Sequence, residues 1–252
     1  MDAVLAQREA TGQAMFPHVN HPNFWYAITT EDLMAIQGEK FFEVYNGHPA
    51  VNNNGDDLRP GTERMWDIIL AFRLGHLNLG PMFGVAVDDS HHYHGQSRTL
   101  SNSGRGWVMV KSPRLEAESI VHAMERGDFY SSTGVRLSRV ECDGRTYRVE
   151  VDDVEGVEYA IQFIGTRRGF DATSTEVVDK EGKALRATRK YSPQIGEILK
   201  TKKGPSATYT FKGDELYVRA LVVSSRAQIN GIADGDLERA WTQPFSPSKP
   251  SR

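Results

Sequence analysis

The sequence is poor in cysteine, with Cys142 as its only one among 252 residues. A single cysteine excludes an internal disulfide framework and a zinc site built from several thiolates. The small, cysteine-stabilised classes of domain are therefore excluded for this chain.

An excess of basic residues is also missing, since 30 Lys and Arg face 33 Asp and Glu, for a net charge of -3. Nucleic-acid-binding proteins usually carry such an excess. The apolar runs, such as residues 66–72, are far shorter than the roughly 20 residues that span a bilayer. The N-terminus lacks the basic and apolar stretches of a signal peptide. We expect a soluble, by default cytoplasmic protein with no nucleic-acid or membrane partner.

Histidine is absent from the second half of the chain, because all 8 histidines lie between His18 and His122. The composition is otherwise that of a folded protein, with 39% hydrophobic and 10% aromatic residues. The length suits one large domain or two modest ones. The histidine distribution predicts that any chemistry lies in the first half.

The hydrophobic pattern changes near residue 135. Before it, apolar strands alternate with helical segments; after it, short alternating strands are separated by turns such as Asp143-Gly144. We therefore predict an α/β part followed by an all-β part. The predicted units are an α/β domain over 1–135, a β-sandwich-like domain over 136–245 and a frayed tail over 246–252.

Three apolar runs of the first part end in side chains that commonly bind metal ions. The first ends in His18 and His21, the second contains Glu43 and ends in Asn46 and His48, and the third ends in Asp89 and His91. Functional groups gather at the carboxyl ends of parallel strands. Mixed imidazole and carboxylate ligands suit zinc, manganese or iron. Glu43 lies between apolar neighbours, where an unpaired carboxylate would be costly. Any one histidine alone is more often a hydrogen-bonded or exposed residue than a ligand.

The order of these motifs resembles the later part of a PHP (polymerase and histidinol phosphatase) domain. The resemblance covers roughly residues 1–135. It rests on Asn20-His21-Pro22, Phe42-Glu43-Val44-Tyr45-Asn46-Gly47, Trp66-Asp67, the run from Gly84 to His91, the run from Gly106 to Val110 and the run from Gly127 to Gly134. It implies a distorted (β/α)7-type barrel and a metal-dependent phosphoesterase that acts on a phosphorylated small molecule.

The resemblance also implies roles for particular residues. By position, His21 matches the His-Pro ligand of the family, and Asp89 and His91 match its Asp-x-His ligands. We add Glu43 and His18 as candidate ligands of divalent Mn, Fe or Zn. The candidates for substrate binding are His48, Asn46 and Arg105.

The sequence departs from the family in its first strands. No His-x-His pair precedes His21, and a (β/α) barrel needs about 250 residues, far more than this α/β part has. We therefore expect only a partial barrel. The chain is then a piece of a longer enzyme, a half-barrel completed by another chain, or a non-catalytic binding or structural module with a degenerate metal site. Because half a barrel exposes sheet edges, we also expect a homo-oligomer.

Overall fold

The computed structural model describes residues 2–247 of the chain. The four helices in this range are α1 (Asp2–Thr11), α2 (Thr30–Met34), α3 (Thr62–Gly75) and α4 (Ala117–Glu125). The strands are β1 (Phe41–Asn46), β2 (Phe83–Val87), β3 (Trp107–Val110), β4 (Phe129–Ser132), β5 (Leu137–Cys142), β6 (Thr146–Val151), β7 (Tyr159–Arg167), β8 (Ser174–Thr175), β9 (Lys190–Tyr191), β10 (Glu197–Lys203), β11 (Ser206–Thr210), β12 (Glu215–Ala227) and β13 (Leu237–Thr242). Strands therefore dominate the fold, as the second half of the sequence predicts.

The α/β character of the first part is concentrated in one β-α-β unit. β1 and β2 pair in parallel, and α3 connects them. On α3, Trp66 is fully buried and donates its indole N–H to the Met82 carbonyl at 2.8 Å. Gly84 on β2 accommodates this helix, because a Cβ there would lie 3.1 Å from the Trp66 ring. Close packing of α3 on β1 and β2 therefore depends on the absence of a side chain at residue 84.

The partial barrel that the resemblance implies is not what residues 2–247 form. Their only parallel strand pair is β1 with β2, and the remaining strand pairs are antiparallel. The coarser expectation, a β-rich second half, is confirmed. After β2 the chain enters β3 and β4, which pair with each other rather than with β1 or β2.

The largest sheet has six strands in the order β10-β7-β12-β13-β4-β3. It takes β3 and β4 from before residue 135 and its other strands from after it. One core cluster also joins Trp66 and Ile69 of α3 to Tyr217 of β12 and Trp241 of β13. Residue 135 therefore divides neither the sheet nor the core. That residues 1–135 and 136–245 are separate domains stays a prediction.

A three-stranded sheet in the order β11-β6-β5 packs against the six-stranded sheet. Between them lies a core that includes Tyr147 and Val149 of β6, Phe163 of β7 and Val218 of β12. The Tyr147 hydroxyl donates to the Thr242 hydroxyl of β13 and so fixes β6 beneath that strand. This layered arrangement explains why inward-facing residues alternate with exposed ones along β6.

A buried ion pair fastens α3 to β12. Arg219 donates through Nε and Nη2 to the two carboxylate oxygens of Asp67, each at 2.8 Å. The Tyr217 hydroxyl donates to the same carboxylate at 2.8 Å. Only 4% of Asp67 and 1% of Arg219 are exposed. Bidentate geometry and a third donor satisfy the carboxylate, which offsets the cost of removing these charges from water.

Within residues 2–247, none of the helices combines the length and apolar character needed to cross a membrane.

At the end of the described chain, Ser246 donates its hydroxyl to the Leu216 carbonyl at 2.8 Å. Residues 248–252 of the predicted frayed tail lie outside the described residues.

Candidate functional site

Glu43 is the buried centre of the candidate site. It lies on β1, whose six residues are all buried, and only 3% of it is exposed. One carboxylate oxygen lies 3.2 Å from Nε2 of His18. The other accepts the backbone N–H of His21 at 2.6 Å and the side-chain amide of Asn46 at 2.7 Å. These contacts explain how a carboxylate persists on an otherwise apolar strand.

Asn46 connects the ends of the two parallel strands. Its Nδ2 lies 2.7 Å from Glu43 Oε2 and 3.2 Å from Asp89 Oδ2, while its Oδ1 accepts the His48 backbone N–H at 2.7 Å. Asn46 pairs with Val87, the last residue of β2, so the segment that follows β2 lies beside it. The carboxylates of two distant segments therefore meet at one amide nitrogen.

Asp89 in turn contacts His91, whose Nε2 lies 3.1 Å from Asp89 Oδ1. The His91 ring lies edge-on to His48, with 5.9 Å between ring centroids. His48 accepts the Ala50 backbone N–H at Nδ1, so its neutral form carries the proton on Nε2. Asp89 and both imidazoles extend the site from the buried Glu43 toward the surface.

Seven of the eight predicted site residues thus lie in one group, which we call the histidine–carboxylate cluster. Its members are His18, His21, Glu43, Asn46, His48, Asp89 and His91. His21 joins through its backbone, while its ring lies 5.2 Å from that of Phe24.

Two residues of the cluster have unusual backbone conformations. His21 has φ 25° and Asp89 has φ 49°, in the left-handed region that side chains other than glycine seldom adopt. Such conformations cost roughly 1–3 kcal/mol each and cluster at active sites and ligand clamps, although Trp25, Tyr26 and Asn78 outside the cluster also have positive φ. At His21, the strained backbone is the one that aims its N–H at Glu43.

The charge of His18 depends on its buried neighbour Glu43. Its contact with the Glu43 carboxylate raises the pKa of His18 above the ordinary histidine value and outweighs the opposing effect of burial. About a third of its side chain, 36%, is exposed. The protonated form of His18 is therefore more populated near neutral pH than that of a free histidine.

Arg105 departs from the expected role in substrate binding. It is only 1% exposed. Its guanidinium donates to the carbonyls of Gly47, Ser97, Leu100 and Asn230. Because most of its N–H groups are used in this way, Arg105 holds loops together and does not present its charge to a ligand.

Other residues position the cluster, and their role is not evident from the sequence. Asn53 brackets the backbone of Asn46, accepting its N–H at 2.9 Å and donating to its carbonyl at 2.8 Å. Asp88 accepts the N–H groups of Gly104, Arg105 and Gly106 and so closes the loop that follows β2. The polar run over residues 52–57 indicates a loop, but not which of its asparagines reaches β1.

The cluster has the donor chemistry of a divalent metal site. Imidazole nitrogens and carboxylate oxygens suit zinc, manganese and iron. Across residues 2–247, however, no three His, Cys, Asp or Glu side chains are grouped so as to hold a metal ion. The carboxylates contact His18, Asn46 and His91 instead. The residue types therefore fit a metal, while a converged set of three ligands is not preformed.

Comparison with known proteins adds no family assignment, since no protein-family model and no curated protein matches the chain.

Proposed function

We propose that the chain is a PHP-like, metal-dependent hydrolase of phosphate esters. The observation that carries the proposal is the meeting of Glu43 and Asp89 at the amide of Asn46. Two carboxylates brought so close, with imidazoles beside each, form the kind of group that a cation stabilises. The motif order that resembles the PHP domain supports the same function independently of this geometry.

The residues that would hold a divalent Mn, Fe or Zn ion are His18, Glu43, Asp89 and His91, with His21 as a further candidate through its ring. Such an ion supplies activation of water and neutralisation of charge on the phosphate oxygens. Binding would replace the present contacts of the carboxylates with His18 and His91.

The other members of the cluster act on the substrate or on the ligands. Asn46 holds the carboxylates of Glu43 and Asp89 in place through its amide. The neutral form of His48 carries its proton on Nε2, and this N–H can donate a hydrogen bond to a phosphate oxygen.

A second candidate is a binding or structural module whose metal site is degenerate. The absence of a converged set of three ligands among the described residues favours this reading. In that case the contacts of Glu43 with His18, and of Asp89 with His91, are the final state of the cluster rather than one that a metal displaces.

Metal analysis separates the two candidates. Protein purified without chelator should hold about one equivalent of Mn, Fe or Zn by inductively coupled plasma mass spectrometry. Asp89→Asn and His91→Gln should lose it, whereas His94→Gln, a matched change at an exposed neighbouring histidine, should retain it. Metal content well below one equivalent, unaffected by Asp89→Asn, would contradict the metal site.

Catalysis is then tested on the metal-loaded protein with a panel of phosphomonoesters and phosphodiesters. We expect turnover that is lost in Asp89→Asn and reduced in His48→Ala, in which the candidate donor is removed. Stoichiometric metal without turnover on any ester would favour the binding module over the hydrolase.

A further inference from the structure

On one side of the molecule, the edges of the two packed sheets are not aligned. The six-stranded sheet ends on β3 and the three-stranded sheet on β5. The Tyr130 hydroxyl of β4 accepts the backbone N–H of Leu137 at 2.9 Å, which places the beginning of β5 against β4. β3 lies one strand beyond β4, so it extends past β5, and within residues 2–247 no strand of the smaller sheet lies opposite it.

A cavity of about 910 Å³ occupies this position. Met109 of β3 and Tyr130 of β4, which are register partners, form its floor, and residues of β5 form its wall. Met109 is 36% exposed although it is a large apolar side chain. We call this cavity, bounded by β3, β4 and β5, the strand slot.

One edge of β5 has no partner strand among the described residues, and it directs backbone hydrogen-bonding groups into the slot. Asp143 donates its backbone N–H to the Thr146 carbonyl at 3.1 Å. These two residues close the β5–β6 hairpin and therefore occupy a hydrogen-bonded position of the ladder. Such pairs alternate along an antiparallel ladder with pairs whose N–H and C=O groups point outward. The register is regular from Cys142 back to Val140, with Cys142 opposite Tyr147 and Val140 opposite Val149. Cys142 and Val140 are therefore the residues whose backbone N–H and C=O groups point outward.

The side chains of β5 define which strand would fit beside it. Arg139 and Glu141 lie on its exposed face, where Arg139 contacts Glu141 at 3.5 Å and Glu150 of β6 at 3.2 Å, and Val140 between them packs toward the core. Opposite charges facing each other across two strands are favourable, and like charges are not. An antiparallel strand therefore matches β5 best when it reads basic–apolar–acidic, with its basic residue opposite Glu141 and its acidic residue opposite Arg139.

On the other side of this pair of sheets, the edge strand of the six-stranded sheet is protected against added strands, whereas the edge strand β11 of the three-stranded sheet has no charged residue. There the edge strand β10 carries Lys200, Lys202 and Lys203, all exposed. Lysines on an edge strand are a common protection against unintended pairing. β3, by contrast, has no charged residue between Trp107 and Val110.

We propose that the strand slot binds one extended segment of a partner polypeptide, which adds to the three-stranded sheet antiparallel to β5 and carries the basic–apolar–acidic pattern. A second copy of this chain does not fit through its own β5. Two copies of β5 paired antiparallel would be related by a twofold axis perpendicular to their sheet. The strands β3 and β4 of both copies would then lie on the same side of that sheet and overlap.

Two peptides of identical composition test the proposal. The matched peptide is acetyl-Ser-Val-Lys-Val-Glu-Val-Ser-amide, and the control exchanges its Lys and Glu. We expect fluorescence anisotropy to show roughly three- to tenfold tighter binding of the matched peptide, from two cross-strand charge pairs. Because Cys142 lines the slot and is the only cysteine, the matched peptide should also slow its alkylation.

Variants of exposed residues complete the test. The double variant Arg139→Glu, Glu141→Arg should prefer the exchanged peptide, and Met109→Arg should weaken binding of both by filling the floor of the slot. Circular dichroism verifies that each variant is folded. Equal affinity for the two peptides, an unreversed preference, or no binding at millimolar peptide would overturn the proposal. A dimer that the matched peptide dissociates would instead make a second copy the occupant.

Discussion

Replacing Asp67 by Asn should destabilise the protein strongly, because it leaves the charge of Arg219 buried without its partner. Arg219 is 1% exposed, and both of its hydrogen bonds to a carboxylate go to Asp67. Breaking a buried ion pair on one side costs about 3–5 kcal/mol. Glu63, whose Oε2 lies 3.7 Å from Nη2 of Arg219, retains part of the compensation. We therefore expect a loss of about 3 kcal/mol in the free energy of unfolding.

Urea unfolding with linear extrapolation measures this loss. For a chain of this size, the melting temperature should fall by roughly 6–12 °C. The matched control is Asp152→Asn, which makes the same chemical change at a solvent-exposed pair with Arg136. That variant should lose less than about 1 kcal/mol.

A double-mutant cycle shows whether the buried charge causes the effect. Adding Arg219→Met to Asp67→Asn removes the unpaired charge, so the double variant should be more stable than Asp67→Asn alone. Equal losses for Asp67→Asn and Asp152→Asn, or no recovery in the double variant, would refute the reasoning.

Two further predictions concern local structure. Hydrogen bonds from the backbone of Thr146 and Arg145 lower the pKa of Asp143 to about 2. The contribution of these hydrogen bonds to the stability of the folded protein is therefore present above the ordinary aspartate pKa and is lost as the pH falls through about 2. NMR titration of the carboxyl group tests this pKa. Gly196→Ala should be more destabilising than Gly156→Ala in thermal unfolding: both glycines have positive φ, but only at residue 196 would a Cβ lie 2.6 Å from Asp67. Equal losses would contradict the steric explanation.

Much of the local structure was predictable because it depends on short-range pattern. The periodicity over residues 63–74 predicts a helix, and α3 spans Thr62–Gly75. The apolar runs over residues 83–87 and 107–110 predict strands, and β2 and β3 have those same bounds. Their sheet membership was not predictable, because the apolar run of β3 is compatible with parallel or antiparallel pairing.

The candidate site was largely predictable for a related reason. Glu43 and Asn46 lie at one strand end and Asp89 beyond the next, and parallel pairing of β1 with β2 brings such ends together. The role of Arg105 was not predictable, because only the folded loops show that its guanidinium meets carbonyls instead of solvent.

The sequence by itself therefore determined which segments form strands and helices, and which residue types stand at their ends. Spacing and side-chain chemistry are local properties that a linear pattern contains. Only the tertiary structure decided that β3 and β4 join strands from the second half, that Asp67 meets Arg219, and that β3 extends past β5. Those outcomes depend on contacts between residues far apart in the chain, whose geometry is set by the packing of the whole molecule.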